Sequence, residues 1–107
     1  DKTLQVIAKA LQKSIRKSDF IARYGGEEFV MLMTGMSLDN ASLPLEKLRK
    51  TIQAIPFKFK DTQVEITISI GATQLKKGDT PIIAFDRADD ALYRAKNEGR
   101  NRVCVSR

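Results

Sequence analysis

The chain has 107 residues, about the size of one small domain, and its 42% hydrophobic and 30% charged residues are ordinary globular composition. Its longest apolar run, Phe29–Met33, is too short for a membrane span, and no apolar leader opens the sequence. Nineteen Lys and Arg against 13 Asp and Glu give a net charge of +6, while the lack of histidine removes Ser–His and Cys–His nucleophiles and the common zinc ligand sets.

The single cysteine, Cys104, excludes a disulfide within the chain and suits a reducing, cytoplasmic setting; it is expected simply to pack in a terminal strand. The excess base suits a polyanion (nucleic acid, an anionic membrane or a nucleotide phosphate), but charge alone favours the plainer reading of a solvated surface with a mild cationic bias. The first residue is Asp1 rather than Met and leads directly into a helical pattern, so the chain reads as a piece of something longer.

Leu4, Ile7, Ala8, Leu11 and Ile15 recur at three- and four-residue steps, which predicts an amphipathic helix from Lys2 to Arg16 with Asp1 as its N-cap. Phe20–Tyr24 reads as a short strand, Gly25-Gly26 as a tight turn, and Phe29–Met33 as a return strand buried on both faces. Asp39 is the expected cap of a second helix reaching Ala54, although Pro44 argues for a start nearer Leu43.

Phe57–Lys60, a turn at Asp61-Thr62, and Gln63–Leu75 read as another hairpin. In its long arm Val64, Ile66, Ile68, Ile70 and Ala72 share one face. Thr80-Pro81 opens a third helix with a cap and an N1 proline. Its buried stripe is Ala84, Ala88, Ala91, Leu92 and Ala95, Gly99 ends it, and Asn101–Ser106 forms the last strand. The order α-β-β-α-β-β-α-β predicts an α+β fold, an antiparallel sheet covered by helices.

Three segments could carry chemistry. In Gly25-Gly26-Glu27-Glu28-Phe29 the glycines allow close approach of backbone to phosphate, and the adjacent carboxylates are hard oxygen ligands for a divalent metal. The bland alternative is a bare hairpin with solvated acids. Lys96 and Arg100, four residues apart around a helix terminus, could clamp phosphate oxygens or merely complement the helix dipole. Arg16 and Asp19 could form a local salt bridge, or offer a guanidinium to phosphate and a carboxylate to a guanine edge.

Taken together, these segments resemble the GGDEF domain of bacterial diguanylate cyclases, in its GGEEF variant. The matching blocks are Asp1, Leu4, Ala8 and Leu11, then Arg23-Tyr24-Gly25-Gly26-Glu27-Glu28-Phe29, then Ile68-Ser69-Ile70-Gly71, then Ala88-Asp89-Asp90-Ala91-Leu92-Tyr93 through Arg102. The resemblance implies a ferredoxin-like palm that joins two GTP into cyclic di-GMP and releases pyrophosphate, across an antiparallel homodimer holding one GTP per subunit. By motif position, Gly25 and Gly26 would lie against the phosphates. Glu27, supported by Glu28, would bind Mg²⁺ or Mn²⁺ and help activate the 3′-hydroxyl. Lys96 and Arg100 would bind the terminal phosphates, and Asp1 stands where the family reads guanine. Arg16 and Asp19 match the family's Arg-x-x-Asp inhibitory site for cyclic di-GMP.

The family's first strand, with its Asp-x-Asp-x-Phe-Lys and Asn-Asp segments, has no counterpart at or after Asp1. Residues 1–107 are therefore expected to be a partial GGDEF domain, its C-terminal two-thirds. Such a piece is expected to be silent alone and to fill the gap in its sheet by pairing with another strand. The parent is expected to carry an upstream sensory domain, and a membrane anchor in that region would be compatible with it. A cyclic di-GMP receptor without cyclase activity is the alternative. Nucleic-acid binding is not expected, because stacking aromatics on a basic face and helix-turn-helix signatures are both missing.

Overall fold

The computed structural model describes residues 2–25 and 28–107. Its contacts divide the chain into two compact units, Asp1–Met36 and Ser37–Arg107.

The first unit holds helix α1 (Lys2–Ser14) and the antiparallel hairpin of β1 (Phe20–Gly25) and β2 (Glu28–Leu32). Leu11 is the buried centre of the helical stripe, with Leu4, Ile7 and Ala8 half-buried beside it. The helix stops two residues short of the expected Arg16. The Ser14 hydroxyl donates back to the Ala10 carbonyl, and the Arg16 amide is taken by the Asp19 carboxylate at 2.9 Å instead of by the helix. In the hairpin, Phe20 pairs with Leu32 and Ala22 with Val30. These four share one face, and it is exposed: Phe20 67%, Leu32 44%, Val30 38%. Phe29 and Met31, on the other face, are half-buried. The return strand is thus covered on one side only, because alternation sends Val30 and Leu32 to a face that the unit leaves open.

The second unit contains α2 (Leu38–Gln53), the small hairpin β3 (Lys58–Phe59) with β4 (Thr62–Gln63), β5 (Ile70–Thr73), α3 (Pro81–Asn97) and β6 (Val103–Ser106). Ser37, not Asp39, caps α2; its hydroxyl accepts the Asn40 amide at 3.3 Å. Asp39 lies in the first turn, where a negative charge suits the helix N-terminus, and pairs with Arg107. Pro44 is accommodated inside the helix rather than setting its start. The turn of the small hairpin is Lys60-Asp61, at φ 51° and 64°, one residue earlier than expected.

Strands β5 and β6 run parallel, Ile70 opposite Val103 through Thr73 opposite Ser106, with α3 as their crossover. This corrects the expectation of a wholly antiparallel sheet: a helix long enough to recross the ladder returns the chain in the same direction. Among the described residues the strands form three two-stranded ladders. The long strand expected over Gln63–Leu75 is laddered only at its ends. The amide of Val64 still donates to the Phe57 carbonyl at 2.8 Å, after which the segment runs to Ile70 without a ladder partner among the described residues.

Helix α3 packs on β5 and β6, and α2 also meets both strands. Ile52, Ala91 and Ala95 are fully buried, with Leu38, Leu45, Leu48, Ile66 and Ala84 nearly so. Ala88 and Leu92, the rest of the expected α3 stripe, are half-buried. Thr80 caps α3 as expected, accepting the Ile83 amide at 3.2 Å ahead of Pro81.

Candidate functional site

The hairpin tip joins two of the candidate residues by backbone pairing. Gly25 pairs with Glu28 after a register irregularity that follows the Arg23–Phe29 pair. Glu28 is half-buried at the start of β2. Asp1, Gly26 and Glu27 lie outside the described residues. Between α1 and the hairpin there is a cavity of about 470 Å³, bordered by Leu4, Gln5, Ala8, Ile21, Arg23 and Phe29.

The Arg16–Asp19 segment is a closed turn. The Asp19 amide donates to the Arg16 carbonyl at 3.0 Å, and the Arg16 amide donates to Asp19 Oδ2 at 2.9 Å. Arg16 Nη2 and Nε donate to Asp19 Oδ1 at 2.8 and 3.2 Å, and Nη2 also donates to the Thr34 carbonyl at 2.8 Å. The Asp19 side chain is 2% exposed and that of Arg16 44%. The salt bridge and the guanidinium surface are therefore compatible: Asp19 is sunk into the turn and holds an arginine that still faces solvent. The bonds from the Arg16 side chain and then its amide hold the Asp19 carboxyl below the usual carboxylate range, against the opposing effect of burial, and Asp19 raises Arg16 in return.

Lys96 lies in the last turn of α3 and Arg100 just beyond it; both are exposed. Helix α3 closes with the Glu98 amide on the Arg94 carbonyl at 2.9 Å. The chain then turns through Gly99, Arg100 and Asn101, all at positive φ (121°, 64° and 48°). The hairpin and the Arg16–Asp19 turn belong to the first unit, and the two terminal cations to the second.

Sequence reading missed three partners. Thr34 follows β2, accepts from Arg16 and donates its hydroxyl to the Ser18 carbonyl at 2.8 Å; nothing local couples residues so far apart in sequence. Arg49 of α2 reaches Asn101 Oδ1 at 2.9 Å while also bonding Glu46 and Gln53. Arg87 of α3 grips Asp79, Thr73 Oγ1 and the Gln74 carbonyl, and this ion pair holds the Asp79 carboxyl down at about 2.

Among the described residues, no three His, Cys, Asp or Glu side chains gather as a metal cluster, and no helix is long and apolar enough to cross a membrane. Glu28 is a hard oxygen donor of the type that suits Mg²⁺ or Mn²⁺.

The chain is 48% identical over 106 residues to the diguanylate cyclase DgcP of Pseudomonas aeruginosa, covering 99% of this chain and 16% of that protein. The crystal structure of the GGDEF domain of DgcB from Caulobacter crescentus, in complex with c-di-GMP, superposes with a TM-score of 0.92 at 31% identity. That match covers 97% of this chain and 63% of DgcB's. The active GGEEF domain of a diguanylate cyclase from Vibrio cholerae gives 0.87 at 35% identity, covering 100% of this chain and 68% of that one. The chain thus spans about a sixth of DgcP's length, and its fold is that of these α+β domains. Residues 1–102 match the family described as diguanylate cyclase, GGDEF domain, and the chain belongs to that family.

Proposed function

We propose that this chain is part of a domain that, within a longer protein, condenses two GTP into cyclic di-GMP. In each of two equivalent steps the 3′-hydroxyl oxygen of one GTP bonds to the α-phosphorus of the other. The α–β phosphoanhydride bond breaks, and pyrophosphate leaves with the electron pair while the hydroxyl proton is lost. The transition state and leaving group are rich in negative charge, so the site needs cations and oriented amides more than a titrating imidazole, and a histidine-free chain suits that chemistry.

Gly25 and Gly26 would lie against the phosphates, where the absence of Cβ permits close approach. Glu27 and Glu28 would hold Mg²⁺ or Mn²⁺, and Glu27 would help draw the proton from the 3′-hydroxyl. When bound, such an ion offsets phosphate charge and favours the deprotonated hydroxyl. Lys96 and Arg100 would hold the terminal phosphates, and Asp1 would read guanine. The catalytic assembly would be a homodimer, one GTP to each subunit.

The observation that carries this reading is the backbone pairing of Gly25 with Glu28, the two ends of the Gly25-Gly26-Glu27-Glu28 signature in the sequence, in a chain of this family. The Arg16–Asp19 turn supports the second half of the reading, inhibition by cyclic di-GMP. Its guanidinium is fixed and exposed, which suits a phosphate or a guanine edge.

The test is cyclic di-GMP formation from GTP and Mg²⁺ by the longer protein that contains this chain, beside its Glu27→Gln variant. Product that vanishes in the variant supports the cyclase. A protein that makes no product yet binds cyclic di-GMP through Arg16 is a receptor, the reading that the ordered Arg16–Asp19 turn would then favour. Arg16→Ala should relieve product inhibition and spare synthesis.

A further inference from the structure

Arg100 sits in a conformation that its own chemistry disfavours. At φ 64° it is left-handed, and Asn101 after it is left-handed too, at φ 48°. Asparagine tolerates that region through its short polar side chain, whereas a long arginine side chain is rarely found there. Consecutive left-handed residues persist only where the surroundings fix them more than once.

The surroundings do so. The Arg100 amide donates to the Ala95 carbonyl at 2.9 Å, and its carbonyl accepts from Arg102 Nε at 3.0 Å. The Asn101 amide donates to Ser69 Oγ at 3.2 Å, and Asn101 Oδ1 accepts from Arg49 Nη1 at 2.9 Å. Arg49 is in turn oriented on α2: Nε donates to Glu46 Oε1 at 2.9 Å and Nη1 to Gln53 Oε1 at 3.3 Å, with its side chain 14% exposed. The backbone on both sides of Arg100 is therefore pinned to α3, to the segment before β5 and to α2, while its side chain is left exposed. A guanidinium meant to meet a multiply charged ligand gains from such pinning, since less motion is lost on binding.

We propose that Arg49 and Asn101 are positioning residues for Arg100, holding the left-handed turn that aims its guanidinium at the terminal phosphates of GTP. The proposal rests on the reading of Arg100 as a triphosphate ligand. It gives Ser69 of the Ile-Ser-Ile-Gly block and Asn101 of the closing block one shared task.

The experiment is steady-state cyclase kinetics of the longer protein carrying single substitutions, each checked for an intact fold by its melting curve. Asn101→Gly keeps the left-handed backbone at ease but removes the acceptor for Arg49, whereas Asn101→Asp keeps the acceptor. Asn101→Gly and Arg49→Gln should each raise KM for GTP by about tenfold, no more than Arg100→Ala does, with a smaller change in kcat. Asn101→Asp should stay within about twofold of the unsubstituted protein. Adding Arg49→Gln to Arg100→Ala should change KM by less than about twofold, because both act through one side chain.

Full additivity of that pair, or an unchanged KM in Asn101→Gly while Arg100→Ala raises it, overturns the positioning role and leaves the triphosphate reading standing. An unchanged KM in Arg100→Ala overturns the triphosphate reading and the proposal with it. If Arg49→Gln melts below the assay temperature, Asn101→Gly against Asn101→Asp decides by the same criterion.

Discussion

Gly71 is the point at which the second unit is most tightly constrained, and replacing it by alanine is the sharpest test of the packing. A Cβ built there meets the Leu92 amide nitrogen at 2.2 Å, the Ala88 carbonyl oxygen at 2.4 Å and Leu92 Cα at 2.7 Å. All three are backbone atoms of α3, so no side chain can swing aside. To restore ordinary contact at 3.4 Å, the helix has to retreat from β5 by about 1 Å. That movement opens the layer where Ala84, Ala91 and Ala95 are buried.

Overpacking of a well-filled core typically costs about 1–3 kcal/mol, and a backbone-on-backbone clash belongs at or above the top of that range. The lower chain entropy of unfolded alanine returns about 0.4–1 kcal/mol. The net expectation for Gly71→Ala is a loss of about 2–4 kcal/mol, read in a domain of this size as a fall in Tm of roughly 10–25 °C. Urea and thermal unfolding measure it, with Gly78→Ala as the comparison. Gly78 has φ +90° and open space around it, so only backbone strain of about 1–2 kcal/mol is paid there. A Gly71→Ala protein as stable as the parent, or more stable than Gly78→Ala, would show that α3 does not press on β5 as described.

Two further outcomes follow from the same unit. Ile52 is fully buried, so Ile52→Ala should destabilise by about 2–5 kcal/mol in urea unfolding, with an unchanged m-value. Asp79 is held at about 2 in the fold by Arg87, below its ordinary 3.8, so its contribution is complete above 3.8 and is lost as pH falls towards 2. The urea midpoint should therefore drop across that interval, and Asp79→Asn should flatten the drop; an identical pH profile in the two proteins would remove the ion pair from the account.

What the sequence made legible was whatever is encoded locally. The 3.6-residue stripe of Leu4, Ile7, Ala8 and Leu11, the Thr80-Pro81 cap and the alanine face of α3 all depend on neighbours within one or two turns, and each is where it was expected. Errors came where distant partners decide. Composition suggested that Phe29–Met33 is buried on both faces, but burial depends on what covers each face, and Val30 and Leu32 face outwards. Alternation from Val64 to Ala72 promised a long strand, but a ladder needs a second strand as well as a pattern. The parallel sense of β5 and β6 follows from the crossover helix rather than from either strand's residues. For the candidate site, motif spacing singled out Arg16, Asp19, Lys96 and Arg100 as candidates. It was blind to Thr34 and Arg49, whose contacts with Arg16 and Asn101 are hydrogen bonds spanning many residues.

The Arg16–Asp19 turn shows why charge alone does not describe such a site. Arg16 uses a planar fork: Nε and Nη2 meet the two Asp19 oxygens, and Nη2 also reaches the Thr34 carbonyl, so one rigid group satisfies an acid and a carbonyl on two segments. Lysine carries the same charge on a single nitrogen at the end of a flexible stem, and cannot hold both directions at fixed angles. Arg16→Lys should therefore behave towards cyclic di-GMP nearly as Arg16→Ala does, with inhibition weakened by about tenfold or more, although net charge is kept. Because Asp19 then loses its forked partner while staying buried, its carboxyl should titrate higher than in the parent, moving back towards the ordinary value of 3.8. Carboxyl NMR titration beside an inhibition curve reads both effects in one variant. If inhibition survived in Arg16→Lys while the Asp19 titration moved, a point charge would be enough for the ligand and the fork would matter only to the turn. If neither moved, the Arg16–Asp19 geometry would have no part in product recognition.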